Sequence, residues 1–229
     1  MIHFIPPNSP PVFPPPETAD SDGLLAIGGD LSTERLLAAY ANGIFPWYNP
    51  GEIIQWWCPK RRYLIFPSEI HISKSMKKFM NKTTLTTKIN ENFADVIAAC
   101  KNTRMPPNHF TPAQKHLAEI YGDYGTWITD EMETAYNKLF DEGYAMCIGT
   151  YHGERLVGGL YGVKLGKKFY GESMFSLAPN ASKLALISLC KRLTIEGFAF
   201  VDCQFHTEHL ETMGGKHVSW NEYSQLLKN

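Results

Sequence analysis

"YAMCIGTYHGERLVGGLYGVKLGKKFYGESMF", residues 144–175, decides the fold. Its dense β-branched, aromatic and glycine content predicts three strands, with turns at His152-Gly153 and near Gly166. Asn180 then reads as the cap of a long apolar helix through about Gly197, with Leu184, Ile187, Leu189, Cys190 and Leu193 on its buried side. "AFVDCQF" at 199–205 returns as a further strand. Antiparallel strands, a helix and one more strand define an α+β domain with the helix packed on a sheet. Upstream, Thr129 caps a helix over about 130–141 that ends at Gly143. Residues 102–125 read as a polar loop around a short helical stretch at 112–120. Helices are expected at about 73–81 and over "NENFADVIAAC" (90–100), the latter capped by Asn90. "IIQWWCPKRRYLIFP" (53–67) reads as two short strands split by Pro59, and "LLAIGG" (24–29) as a strand before a helix capped by Ser32 or Thr33 and stopped by Gly43. The proline-rich residues 5–16 are expected as an extended arm over the surface. Two short helical pieces close the chain, the last capped by Ser219.

At 229 residues the chain is long enough to bury a core. It has no long apolar run, and its first residues lack the basic and apolar regions of a signal peptide, so a soluble, cytoplasmic protein is expected. Cys58, Cys100, Cys147, Cys190 and Cys203 are odd in number and form no C-x-x-C pair, which fits free thiols in a reducing compartment. The net charge of −1 conceals an asymmetry: residues 60–88 carry eight Lys or Arg against Glu69 alone. A polyanion is therefore expected on one face only, unless the run is simply a solvated helix face.

Three places invite chemistry. If 200–205 is extended, Val201, Cys203 and Phe205 point one way while Asp202 and Gln204 point the other, placing a carboxylate beside an amide. Cys203 with His206 and His209 resembles a metal-ligand set, but a thiol facing the core argues against zinc and against a Cys–His nucleophile. Glu172, in "FYGESMFS", shares a face with Met174 and Ser176 if alternation holds, and its burial demands a structural partner or a cationic ligand. Trp56 and Trp57 precede the basic run and Trp127 lies in "YGTWITD", where rings serve either as packing or as stacking platforms for single-stranded nucleic acid. "NASK" at 180–183 opens a helix whose free amides could hold a phosphate or a ribose hydroxyl, or merely be well capped.

Seven segments together carry a resemblance: "GLLAIGGDLSTERLLAAYANGIFPWYNPGEIIQWWCPKRR" (23–62), "IHISKSMKK" (70–78), "GTWIT" (125–129), "LVGGLYGV" (156–163), "GESMFS" (171–176), "NASK", and "VDCQF" with "HLETMGG" (201–205 and 209–215). In kind and order they resemble the leucyl/phenylalanyl-tRNA–protein transferases. The resemblance implies an aminoacyltransferase that moves leucine or phenylalanine, with methionine as a further donor, from its tRNA to the N-terminal Arg or Lys of acceptor proteins, marking them for degradation. It implies a small N-terminal α+β domain (1–70) on a catalytic domain (71–229) with an acetyltransferase-like (GNAT) fold and a mixed, mostly antiparallel sheet. No metal or organic cofactor is implied, and a monomer away from membranes is expected. By resemblance Asp202 and Gln204 form the reacting pair, Gln204 touching the attacking amine and Asp202 orienting its amide and stabilising the proton being lost, while Glu172 holds the cationic acceptor. Leu160, Met174, Phe175, Leu189 and Leu193, with Ser176 at the rim, are expected to line the aminoacyl pocket. Trp57, Trp127, Asn180 and Ser182 are assigned to the adenosine and acceptor rim, and Lys60, Arg61, Arg62, Lys74, Lys77 and Lys78 to tRNA phosphates. The 102–125 segment is longer than the family's expected link, and Trp220 stands where many relatives carry arginine. Two other readings compete. One is a non-catalytic binding module for tRNA or protein N-termini. The other is a small-molecule acetyltransferase, which would need a Gly-rich pyrophosphate loop where this chain has "LAPNAS".

Overall fold

A computed structural model describes residues 2–102 and 126–228; the short helix expected at 112–120 lies outside them. The first strands, β1 (His3–Ile5), β2 (Leu24–Gly28), β3 (Phe45–Pro46) and β4 (Gln55–Trp57), form a sheet in the order β1-β2-β4-β3, with α1 (Thr33–Ala41) between β2 and β3. The Ser32 hydroxyl accepts the Arg35 amide at 3.4 Å and so caps α1 as expected. The proline-rich arm is pinned more firmly than a surface strap. Its leading residues pair with β2, and the buried Arg35 guanidinium donates to the carbonyls of Ser9 (2.6 Å) and Pro10 (3.3 Å).

The second sheet has seven strands in the order β11-β5-β10-β9-β8-β7-β6. They are β5 (Arg61–Ile65), β6 (Leu85–Ile89), β7 (Ala145–His152), β8 (Arg155–Leu165), β9 (Lys168–Ser176), β10 (Phe200–Asp202) and β11 (Lys216–Ser219). Only β9 and β10 run parallel within it, so the sheet is mixed and mostly antiparallel. The change of sheet falls between β4 and β5, around Pro59 and ahead of residue 70. The connecting helices are α2 (Lys74–Met80), α3 (Phe93–Asn102), α4 (Asp130–Asp141), α5 (Ala181–Ile195), α6 (Glu208–Thr212) and α7 (Trp220–Lys228). Asn90 does not cap α3; its Oδ1 accepts the Cys147 amide at 3.0 Å and ties the chain after β6 to β7.

α5 covers one face of the large sheet, burying Leu184, Leu189 and Leu193 against Ile148, Leu160, Phe169 and Val201. On the other face α3 and α4 pack against Tyr161, Val163 and Phe175, in the same core as Leu36, Tyr40 and Trp56 of the small sheet and α1. One hydrophobic core therefore joins the two sheets. β9 carries an irregularity that positions the site: Tyr161 lies opposite Ser173 and Gly162 opposite Gly171, leaving Glu172 as an extra residue. Glycine is required at 162, because a Cβ there would stand 2.1 Å from the Tyr170 carbonyl oxygen.

Candidate functional site

β10 is wedged between β5 and β9, with Asp202 opposite Leu64 and Tyr170. Asp202 is completely buried. Its Oδ2 accepts from Arg62 Nη2 and from the Tyr223 hydroxyl of α7, while Oδ1 accepts the Gln204 amide at 2.9 Å. The Arg62 guanidinium, 1% exposed, lies 4.9 Å from the Phe45 ring centroid and 4.7 Å from that of Tyr223. Burial works against its charge, and the Asp202 carboxylate overcomes this to hold Arg62 firmly protonated.

This arrangement corrects three expectations. Arg62 is the partner of a buried acid and has no surface to offer a phosphate. Asp202 faces that cation and a phenol and is closed off from solvent, where a side chain lining an open site was expected. The strand also ends at Asp202: Gln204 adopts φ 56°, and the Phe205 amide turns back onto the Cys203 carbonyl at 2.6 Å. Phe205 therefore leaves the Val201 side and packs, 39% exposed, on Phe45 and Trp47 at centroid distances of 5.8 and 5.5 Å. The Asp202 carboxylate fixes the Gln204 N–H, the Phe205 amide closes on the Cys203 carbonyl, and between these two bonds a non-glycine residue sits in a left-handed conformation. Gln204 is 8% exposed, and its Nε2 has no hydrogen-bond partner among the described residues.

Glu172 stands on the face toward α1 and α4, receiving hydrogen bonds of 2.8 Å from both the Tyr40 and Tyr136 hydroxyls, which are 2.5 Å apart. Glu172 is half-buried, and two phenols answer the part of it that is withdrawn from water. Burial pushes its carboxyl up to about 7 despite these donors; the Asp202 charge adds to the rise and Arg62 opposes it. The irregularity in β9 sends Met174 to the α5 face, away from Glu172.

The expected aminoacyl lining is divided accordingly. Leu160, Met174, Leu189 and Leu193 share the α5 core, whereas Phe175 belongs to the core on the opposite face and cannot line the same pocket. Ser176 is exposed at the end of β9, and its Oγ accepts the Ser182 amide at 3.3 Å. Asn180 occupies the N-cap position of α5 with φ 64° but makes no side-chain cap bond; Ser176 supplies the acceptor instead. A cleft of about 430 Å³ lies elsewhere, lined by Phe79, Leu85, His152, Arg155, Leu177 and Pro179, and includes none of Glu172, Asp202 and Gln204.

Aromatic rings bank up beside Gln204. Trp57 donates its indole N–H to the Trp47 carbonyl at 2.7 Å and meets the Trp47 ring edge-on at 5.6 Å, and Trp47 reaches Phe205. Trp127 is half-buried against the shared core. Sequence reasoning missed Trp47, Tyr40, Tyr136 and Tyr223 as neighbours of the site, and misread Arg62. Trp47 carried a signal, lying in the same aromatic segment as Trp57, but nothing local announces that tyrosines on α1, α4 and α7 converge. Lys60, Arg61, Lys74, Lys77 and Lys78 are exposed, as phosphate contacts require. Cys203 packs toward the α5 core, and burial raises its thiol well above the ordinary range. Among the described residues, no helix is long and apolar enough to cross a membrane.

Comparison with known proteins gives a consistent result. The family model described as leucyl/phenylalanyl-tRNA protein transferase matches residues 64–228, and that of its N-terminal domain matches residues 29–60. Proteins named leucyl/phenylalanyl-tRNA–protein transferase are similar throughout. The one from Thiobacillus denitrificans is 46% identical over 94% of this chain and 88% of its own length. Those from Syntrophus aciditrophicus and Flavobacterium johnsoniae are 46% and 44% identical, each over 95% of this chain and over 84% and 95% of their own lengths. Matches in tandem over nearly the whole chain define a transferase. The chain belongs to the leucyl/phenylalanyl-tRNA–protein transferase family.

Proposed function

We propose that the protein transfers leucine or phenylalanine, and methionine as a further donor, from aminoacyl-tRNA to the N-terminal Arg or Lys of acceptor proteins. The observation that carries this reading is Gln204: a nearly buried carboxamide, fixed through its backbone by Asp202, with an Nε2 donor that no group among the described residues uses. An aminoacyl ester already holds the driving force, so the protein's task is to place an amine about 3 Å from the carbonyl and to stabilise the oxygen as charge develops. Gln204 Nε2 donates to that oxygen while the carboxamide oxygen accepts from the attacking amine. The N–C bond forms, the ester C–O bond breaks, and the surplus amine proton leaves with the ribose hydroxyl. A free α-amine ionises near 8, so a useful neutral fraction exists without a strong base.

Glu172, ionised above about 7, attracts the cationic side chain of the acceptor. Leu160, Met174, Leu189 and Leu193 supply apolar lining for the aminoacyl side chain, and the rings around Trp57, with Trp127, Asn180 and Ser182, form the rim toward the terminal adenosine. Lys60, Arg61, Lys74, Lys77 and Lys78 meet phosphates. The larger sheet reads as acetyltransferase-like, supported by β9-α5-β10: β9 runs on six residues beyond its last pairing with β10, leaving an edge open beside Gln204. We place the smaller domain before it, ending between the change of sheet near Pro59 and residue 70. The test mixes the protein with tRNA carrying labelled leucine or phenylalanine and peptides beginning with Arg, Lys, Asp or Glu. Labelled Arg and Lys peptides are expected. Retention of tRNA with no labelled peptide would favour a binding module instead.

A further inference from the structure

We propose that Tyr223 and Arg62 are positioning residues for aminoacyl transfer, clamping Asp202 so that its second oxygen fixes the Gln204 turn. The inference rests on reading Gln204 as the group at the reacting centre. The two oxygens of Asp202 are divided in labour: Oδ2 takes both clamping donors, and Oδ1 takes the Gln204 amide alone. A carboxylate held by two donors on one oxygen cannot rotate to release the other, so the Gln204 N–H at the entry of its turn is kept in place. Tyr223 is completely buried, and its ring is lodged with Leu64 and Phe200 beneath α7. The fit is close on the other side as well, since a Cβ on Gly43 would stand 2.6 Å from Tyr223 Cε1. Arg62 makes a second link to the site: it lies over Phe45, and Phe45 meets Phe205, the residue after Gln204. The last helix of the chain thus reaches the reacting centre through one phenol, which gives α7 a part in the reaction beyond completing the fold.

Tyr223→Phe keeps the ring and the Arg62 guanidinium over it, and removes the hydroxyl with its bond to Asp202 and the 3.3 Å bond it accepts from Arg62. Its kcat for peptide labelling should fall about tenfold, as slight misplacement of a reacting group does, with the peptide KM and the tRNA Kd unchanged. Asp202→Asn should also lower kcat, and adding Tyr223→Phe to it should lower kcat no further, because the phenol acts through the carboxylate. Should Asp202→Asn not fold, Arg62→Lys, which keeps a charge but alters the second donor to the same oxygen, should lower kcat in the same way with peptide KM unchanged, and an undiminished kcat there would count against the clamp. An undiminished kcat in Tyr223→Phe, an equal loss in both backgrounds, or a loss confined to KM would overturn the assignment. Normal kcat in a folded Asp202→Asn protein would instead remove the reading of the reacting centre on which it rests.

Discussion

Glu172 shows how one residue couples stability to chemistry. Its folded-state ionisation lies at about 7 against an ordinary 4.5, with burial the largest cause, so between these values the folded chain keeps a proton that the unfolded chain has lost. The sign follows directly: the contribution to stability is greatest at and below pH 4.5 and is lost as pH rises through 7. From pH 5 to pH 8 the wild type should lose stability relative to Glu172→Gln, by about 2–3 kcal/mol, in denaturant melts at the two pH values. Over the same interval the KM for an Arg-initiated peptide should fall in the wild type and stay flat in the variant, since only the carboxylate draws the acceptor's cation. Arg62 makes a different case. Truncation to Ala strands the Asp202 charge in the core and should destabilise the protein by about 3–5 kcal/mol in the same melts.

At the scale of elements, the helix–sheet contact at Gly158 is tightly constrained. A Cβ there would stand 2.5 Å from the Ala181 Cβ, at the first turn of α5. Gly158→Ala should push that turn off β8 and cost about 1–3 kcal/mol, measured by chemical denaturation, whereas Gly153→Ala, which meets open space, should show only the smaller strain of its turn. These elements also show what a sequence can disclose. The β7-β8-β9 hairpins, α5 and the capped helices α1 and α4 were legible because turn glycines, cap residues and apolar spacing are local signals. β6 (Leu85–Ile89) and β11 (Lys216–Ser219) escaped, being short strands at the two edges of the sheet with half-exposed, polar patterns. At the candidate site, Asp202, Gln204 and Glu172 stand out in the sequence as polar groups among apolar neighbours, but their surroundings do not. Strict alternation was assumed, yet the extra residue in β9 and the left-handed turn at Gln204 each break it, moving Met174, Phe175 and Phe205 to unexpected sides.

For the molecule as a whole, the core shared by the small sheet, α1 and the larger sheet makes the two parts interdependent. Calorimetry should therefore record one cooperative unfolding transition; two separated transitions would show that the sheets melt independently. The exposed cations are what remains for a polyanion once Arg62 is removed from the set. Binding of tRNA should weaken steeply with salt, and Lys77→Ala and Lys78→Ala should each flatten the logarithmic slope by about 1. The central claim is narrower than either prediction: the carboxamide of Gln204, whose backbone N–H is held by a buried acid at the end of β10, does the transferring. The most direct measurement is the single-turnover rate of peptide labelling from pre-bound leucyl- or phenylalanyl-tRNA in Gln204→Ala. A fall of about 100-fold or more with tRNA retention intact is predicted, and transfer at the wild-type rate would contradict the account.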